Sequence, residues 1–284
     1  MTNIFRNKNL RVLAYHKVND QKRFERQLDF LKRRYQLINL KALRGYLLDK
    51  QDLPKNALLI TFDDGDVTVY ENAFPILKKY NIPAVIFIIT DLIDTAIPFW
   101  WDEIEYYIGT EKGNQKVWEV KNWTNRRRLD FLKSLREKSK KSSPVYPQLT
   151  SVQLTELQFG GVDIANHSHT HPMFDQCTVE ELENEMVESK KNLTHLGLAA
   201  DTFAYPNGNY SEISEEILKK NGVKLAFLFD HKVNKVNVSP LRISRLIVND
   251  STSMWKLRFI LSGWHGKFLP VIKRVSGFFR KVKK

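Results

Sequence analysis

Cysteine is almost absent: Cys177 stands alone in 284 residues, so no internal disulfide framework can staple the chain. The fold must rest on burial, and that composition fits a reducing compartment. An apolar leader is also lacking. Met1 to Asn9 carry Arg6 and Lys8 but no hydrophobic run, and the first apolar stretch, between Arg11 and Lys17, is too short for a signal peptide. The expectation is therefore no secretion signal, no amino-terminal membrane span and a cytoplasmic location, on the inner face of the membrane if the carboxyl end attaches there.

Acidic residues are missing from that carboxyl end. After Asp250 there is no Asp or Glu, whereas nine Lys or Arg lie between Lys256 and Lys284 and supply +9 of the net +13. They alternate with Trp255, Phe259, Trp264, Phe268, Phe278 and Phe279. Such a mixture suits peripheral contact with an anionic membrane better than nucleic acid, which is not expected as a partner. A helix packed on the main domain is the competing reading of the same residues. The chain divides accordingly into a catalytic unit over 1–250 and a basic amphipathic tail over 251–284.

The remainder holds enough apolar residues, 42% of the whole, to bury a large core. Short apolar runs near Arg11, Ala57, Ala84, Val162, Thr202, Val223 and Leu241 read as seven strands. Helical spacing fills most of the intervals: Arg23–Tyr35, Leu43–Leu48, Val69–Tyr80, Thr178 to Leu196 behind a capping box with Glu181, and Ser211–Asn221 before Gly222. This alternation is the mark of an α/β fold, a closed parallel barrel or an open doubly wound sheet. Between Asp91 and Gln158 the chain is polar and mostly helical. It reads as an insertion of about 92–158 without a core of its own, and Arg126, Arg127 and Arg128 read as a solvated helix face.

Chemistry gathers where the strands end. Thr61-Phe62-Asp63-Asp64-Gly65 closes one apolar run with two adjacent acids, each of which must be solvated, paired or bound to a cation. Asn166-His167-Ser168-His169-Thr170-His171-Pro172 follows another. His167 and His171, four apart, can bring two imidazoles to one ion, with a carboxylate as third ligand and open positions for water. A second carboxylate beside the ligand can serve as base toward that water. The plainer reading makes the acids a helix cap and the histidines surface residues. His16 and Tyr205 also fall at strand ends.

These two stretches resemble the first two motifs of the polysaccharide deacetylases, the NodB-homology family (carbohydrate esterase family 4), over roughly residues 10 to 250. The resemblance implies a distorted (β/α)7 barrel and divalent-metal-dependent removal of N-acetyl groups from an amino sugar, in a polymer, an oligosaccharide or a lipid-linked form, in envelope or surface-glycan metabolism. It makes Asp63 the catalytic base and Asp64, His167 and His171 the metal ligands. Zinc is the expected ion, with cobalt, nickel and iron as the other candidates. His169 is a bystander. Phe203-Ala204-Tyr205-Pro206-Asn207-Gly208 resembles the third motif, so Tyr205 and Asn207 are expected at the substrate, one of them offering a backbone N–H to the oxyanion.

Two departures stand out. Ala204 occupies the place of an arginine that steadies the base, and Arg242 or Arg245 could replace it; Arg245 is also placed among the substrate-binding residues. No late Leu-x-His supplies the general acid. Instead Leu13-Ala14-Tyr15-His16 on the first strand resembles the circularly rearranged branch of the family related to poly-N-acetylglucosamine deacetylases. His16 is the expected acid, with His231 as its rival. Phe99, Trp100 and Trp101 form either a sugar-stacking wall, in which Trp101 touches substrate, or an anchor for the insertion. An O-acetyl esterase and a non-catalytic sugar-binding relative are the alternative functions.

Overall fold

Each apolar run of the sequence becomes one strand of a single parallel sheet. The structure, a computed structural model, describes residues 9–235 and 237–266. In chain order the strands are β1 (Arg11–Tyr15), β2 (Gln36–Leu37), β3 (Ala57–Phe62), β4 (Ala84–Ile88), β5 (Val162–Asn166), β6 (Thr202–Ala204), β7 (Leu225–Phe227) and β8 (Leu246–Ile247). Their spatial order is β7-β6-β5-β4-β3-β1-β8, with β2 paired to the start of β3. The stretch from Ile243 into β8 touches both sides: Ile243 bridges Phe227 of β7, and Leu246 of β8 pairs with Leu13 of β1. The sheet therefore curls into a distorted (β/α) barrel.

The helices, in chain order, are α1 (Gln21–Arg34), α2 (Leu40–Leu48), α3 (Phe74–Tyr80), α4 (Trp100–Ile108), α5 (Thr110–Val120), α6 (Asn125–Lys138), α7 (Ser151–Phe159), α8 (Val179–His195), α9 (Glu212–Lys220) and α10 (Met254–Leu261). No helix among the described residues is long and apolar enough to cross a membrane. Because strand side chains alternate between faces, the apolar runs split into two layers. Leu13, Tyr15, Ile60, Phe62 and Ile86 pack outward with Phe24, Leu28 and Leu31 of α1 and with α3, α7 and α10. Val12, Leu59, Phe87, Ala165, Phe227 and Ile243 fill the interior. Continuing the inward row past the strand ends gives His16, Asp63 and His167, while Arg245 follows Ile243 by two. The period of two thus delivers these four side chains to one end of the barrel.

The structure changes several boundaries. The expected strand from Leu241 to Val248 keeps a regular ladder only at Leu246–Ile247. Asn234 interrupts the rest: its Oδ1 accepts from the Ser244 N–H at 2.8 Å and its Nδ2 donates to the Ser244 carbonyl at 2.8 Å, replacing a strand partner. The Val223 strand likewise shortens to Leu225–Phe227. Val69–Tyr80 is not one α-helix; Val69–Ala73 is π-helical before α3. Pro75 has no N–H to donate to the carbonyl four residues back, and the wider turn relieves its ring.

The insertion has more of a core than its composition suggested. Trp100, Ile104, Val117, Val120 and Leu132 from α4, α5 and α6 form a buried cluster with Met173 of the barrel. Of the three consecutive arginines, Arg128 is buried, its Nη2 donating to Asn125 Oδ1 at 2.8 Å and its guanidinium facing the Trp100 ring. Only Arg126 and Arg127 fit the solvated reading.

At the start of the tail the structure favours the second of the two readings, a helix packed on the main domain. Leu257, Ile260 and Leu261 of α10 are buried in the outer layer, and Arg11 Nε donates to the Leu261 carbonyl at 2.7 Å. Each such side chain contributes ~1.5–3 kcal/mol by burial, so this helix belongs to the barrel and presents no interfacial face from those residues. Residues 267–284 of the segment read as membrane-directed lie outside the described residues.

Candidate active site

Asp63 and Asp64 leave β3 in opposite roles because the backbone turns between them. The Asp63 N–H still donates to the Tyr15 carbonyl at 2.9 Å, which extends the ladder by one residue. Asp64 and Gly65 then take φ of 70° and 79°. A side chain on Gly65 would be strained by that φ, and its Cβ would lie 3.2 Å from Ile88 Cγ2. Asp63 stays in the inward row and meets Arg245, whose Nη1 and Nη2 donate to its two carboxylate oxygens at 2.5 and 2.7 Å. Asp64 faces two imidazoles instead: its Oδ1 lies 3.3 Å from His167 Nε2 and 3.5 Å from His171 Nε2.

The histidine loop is held by groups that the sequence pattern did not single out. Asn166 Oδ1 accepts the Ser168 N–H at 2.8 Å, and Ser168 Oγ accepts the His171 N–H at 3.0 Å. Glu185 of α8 accepts both the His169 and Thr170 N–H groups at 2.8 Å. Ser168 and His171 adopt positive φ of 71° and 55°, a cost that this network holds in place. His167 Nδ1 lies 2.8 Å from the Ala204 carbonyl, which only accepts, so Nδ1 carries a proton; Nε2 faces Asp64 and becomes the ligand atom once its own proton leaves. The His171 imidazole packs edge-on against Trp101 at 4.9 Å, and the buried Trp100 donates its indole N–H to the His171 carbonyl at 3.1 Å.

One ligand atom from each of Asp64, His167 and His171 can be chosen so that all three lie within 4.8 Å of one another, the only such His/Cys/Asp/Glu group among the described residues. Two imidazoles and one carboxylate are a donor set for a catalytic transition-metal ion, with coordination positions left over. The electrostatics agree. Burial lowers the His171 imidazole and the nearby His167 adds to that, to about 3, which keeps it neutral and ready to ligate. Burial would raise both carboxyls, but neighbouring charges outweigh it. Arg245, then His167, hold Asp63 below the usual carboxylate range. The His167 hydrogen bond, with His16 and His171, does the same for Asp64. His167 is shifted upward, because Asp63 and Asp64 outweigh its burial.

These groups open into a cleft of about 310 Å³. His16 lines it, with Nε2 4.0 Å from Asp64 Oδ2 and its ring edge-on to Phe229 at 5.3 Å. Trp101 and Asn207 line it too. His231 does not; its ring lies 5.2 Å from His265, and the chain beyond it returns to pair Asn234 with Leu10 before the amino end of β1. His169 bonds Thr90 Oγ1 at 3.1 Å, outside the ligand group.

Two expected substrate contacts are not in the cleft. Tyr205 is fully buried among Phe174, Phe203 and Leu218, and its N–H is already spent on the Phe227 carbonyl at 3.0 Å. The side chain of Arg245 is completely enclosed and reaches substrate only through Asp63. Arg242 turns away to Glu215, with Nε donating to Oε2 at 2.6 Å. Asn207 remains, in a turn with φ of 56°, where its Oδ1 accepts from Lys121 Nζ at 3.0 Å. Next to it Gly208 is obligatory, since a Cβ there would stand 2.2 Å from the Phe229 Cβ.

Sequence reasoning missed the far wall. Glu105 of α4, Asn114, Val117 and Trp118 of α5, and Lys121 at its end complete the cleft. Their only signal was the aromatic content of the insertion, which fits a core equally well.

The family model described as polysaccharide deacetylase matches residues 50–226, well over half of the chain. The chain is 28% identical over 264 residues to the poly-beta-1,6-N-acetyl-D-glucosamine N-deacetylase of Staphylococcus aureus (strain NCTC 8325 / PS 47), covering 92% of this chain and 73% of that protein. It is 26% identical over 252 residues to the protein of the same name from Staphylococcus epidermidis, covering 88% and 73%. Among solved structures it resembles the Streptococcus pyogenes deacetylase PplD in complex with acetate, with TM-score 0.66, 20% identity and coverage of 89% and 98%. It resembles IcaB from Ammonifex degensii equally, with TM-score 0.66, 22% identity and coverage of 90% and 97%. Those two likenesses concern the fold. With the motif order, the barrel and the paired acids and histidines, the match over 50–226 shows that this chain belongs to the polysaccharide deacetylase family.

Proposed function

We propose that the chain removes N-acetyl groups from an amino-sugar polymer or oligomer of the poly-N-acetylglucosamine type, using a divalent cation held by Asp64, His167 and His171. The observation that carries this reading is the division of labour at the end of β3: Asp64 belongs to the ligand group, while Asp63 is kept out of it by Arg245. The Staphylococcus relatives, named for that substrate and alike over nearly the whole chain, supply the sugar class.

The bound cation would supply Lewis-acid activation of a water and of the acetyl carbonyl. Everything else falls to the chain. Asp63, ionised because of Arg245, accepts a proton from the attacking water. The bidentate grip fixes the carboxylate plane and leaves only its outward lone pairs for that task. The Tyr205 N–H is committed to the sheet, which makes the Asn207 backbone N–H the third-motif donor assigned to the developing oxyanion. His16, across the cleft from Asp63, delivers a proton to the sugar nitrogen, without which an amine does not leave. Products are acetate and the free amine.

Trp101, stacked on Phe99 at 4.9 Å and edge-on to His171, forms an apolar wall against which a sugar ring or the acetyl methyl packs. Zinc is the proposed ion, since two imidazoles and a carboxylate suit it.

The test is acetate release from N-acetylglucosamine oligomers beside O-acetylated sugars of equal length. Turnover of the amide, lost on chelation and restored by zinc or cobalt, supports the proposal. Turnover of the ester alone replaces it with an O-acetyl esterase, and sugar binding without acetate leaves a non-catalytic reader.

A further inference from the structure

At the amino-terminal end of the barrel, away from the cleft, three arginines converge with no acid among the described residues beside them. Arg11 opens β1 and is only 9% exposed, with its guanidinium 5.3 Å from the centre of the Tyr35 ring. Its Nε donates to Leu261, but its buried Nη1 has no hydrogen-bond partner. Arg34 ends α1, and Arg258 of α10 lies over Phe30 at 5.1 Å. Together with Phe30, Tyr35 and Asn56 these arginines line a cleft of about 460 Å³. Among the described residues no carboxylate lines it, and none of the three has an acidic partner.

We propose that this cleft binds a phosphoryl group. A buried guanidinium with an unused N–H is costly, and such orphans call for a ligand. Three cations held close repel one another unless an anion joins them. Stacking on Tyr35 and Phe30 fixes two of the guanidinium planes in advance, which suits forked donation to the several oxygens of a phosphate. A neutral sugar would leave the charges unanswered, and a single carboxylate would answer fewer of them. The cleft is large enough for a phosphate with a glyceryl or sugar substituent. Because Arg258 and Leu261 both belong to α10, an occupied site clamps that helix to β1. The site is independent of the proposed deacetylation, lying at the opposite end of β1 from His16.

The phosphoryl group can come from a soluble phosphate or from a lipid headgroup, and two probes separate them. The full chain is titrated calorimetrically with inorganic phosphate and glycerol phosphate, and sedimented with phosphatidylglycerol vesicles beside phosphatidylcholine vesicles. Arg34→Gln/Arg258→Gln, both exposed positions, is the comparison protein, and Arg11→Gln is a second variant whose folding is checked by thermal unfolding. Losing two charge-assisted contacts weakens binding at least about tenfold. Any phosphate taken up at the metal-ligand group is common to wild type and variant, so the difference reads the arginine cleft. Binding of the soluble probes that weakens this much in the double variant supports the proposal with a soluble ligand. The same loss on phosphatidylglycerol vesicles assigns it to a headgroup. Superposing isotherms and equal sedimentation of wild type and double variant would overturn it.

Discussion

Arg245 and Asp63 form an enclosed, two-pronged ion pair, 182 residues apart in the chain, at the point where β8 and β3 flank β1. The guanidinium also donates Nε to the Leu228 carbonyl at 2.8 Å and faces the rings of Phe87 and Phe229. It therefore does the positional work expected of the arginine that Ala204 replaces, arriving from a different strand.

Arg245→Met leaves a buried carboxylate without its partner. Thermal or denaturant unfolding is expected to show a loss of about 3–5 kcal/mol. Asp63 then titrates higher, so the acidic limb of the activity profile moves up in pH. Adding Asp63→Asn to Arg245→Met recovers part of the stability but none of the activity. A pH profile unchanged in Arg245→Met counts against the pairing.

His16→Ala separates amide from ester chemistry. Protonating a poor amine leaving group is worth about 10²–10⁴-fold, so amide turnover falls by that order. An acetyl ester with an acidic alcohol leaves with less help, and its hydrolysis falls much less. Equal losses on both substrates place His16 in another role.

The ligand group makes the metal-free protein acid-sensitive. The folded imidazole of His171 sits near 3, below its unfolded value of about 6.5. Its contribution to stability is therefore complete above about 6.5 and declines as pH falls toward 3, where the folded side chain is at last protonated. Urea unfolding of the chelated protein across that window is expected to show the decline. His171→Ala flattens it.

Gly208→Ala tests the third motif. With φ of 75° and its Cβ pressed on Phe229, the substitution must displace either the Asn207 turn or the end of β7. The expected result is a loss of more than about 1 kcal/mol from the left-handed backbone alone, with a larger fall in kcat than rise in KM. A variant with full stability and turnover contradicts the geometry.

Much of this was legible from residues alone. The strand runs of β1, β3 and β4 are apolar because both faces are covered, so their ends, and hence His16 and Asp63, were readable; β5 carries Asp163 and Asn166, and the histidine cluster itself marked its end. The capping box of Thr178 and Glu181 is present as read. What failed depended on contacts distant in sequence. Whether Arg242 or Arg245 turns inward is decided by Glu215 and Asp63, and neither neighbour is visible in Leu241–Arg245. Tyr205 looked like a site residue because its motif flanks the cleft, yet a strand-end tyrosine faces outward as readily as inward. Glu185 and Lys121, which bind the histidine loop and the Asn207 turn, sit on helices whose surface charges carry no mark of their partners.

The sharpest test sets two neighbouring acids against each other. Asp63→Asn and Asp64→Asn are purified in parallel, and bound metal and acetate release from an N-acetylglucosamine oligomer are measured on the same samples. Asp63→Asn is expected to keep its metal and lose turnover, and Asp64→Asn to lose both. A fully active Asp63→Asn, or an Asp64→Asn that retains metal and turnover, would contradict the division of labour on which the mechanism stands.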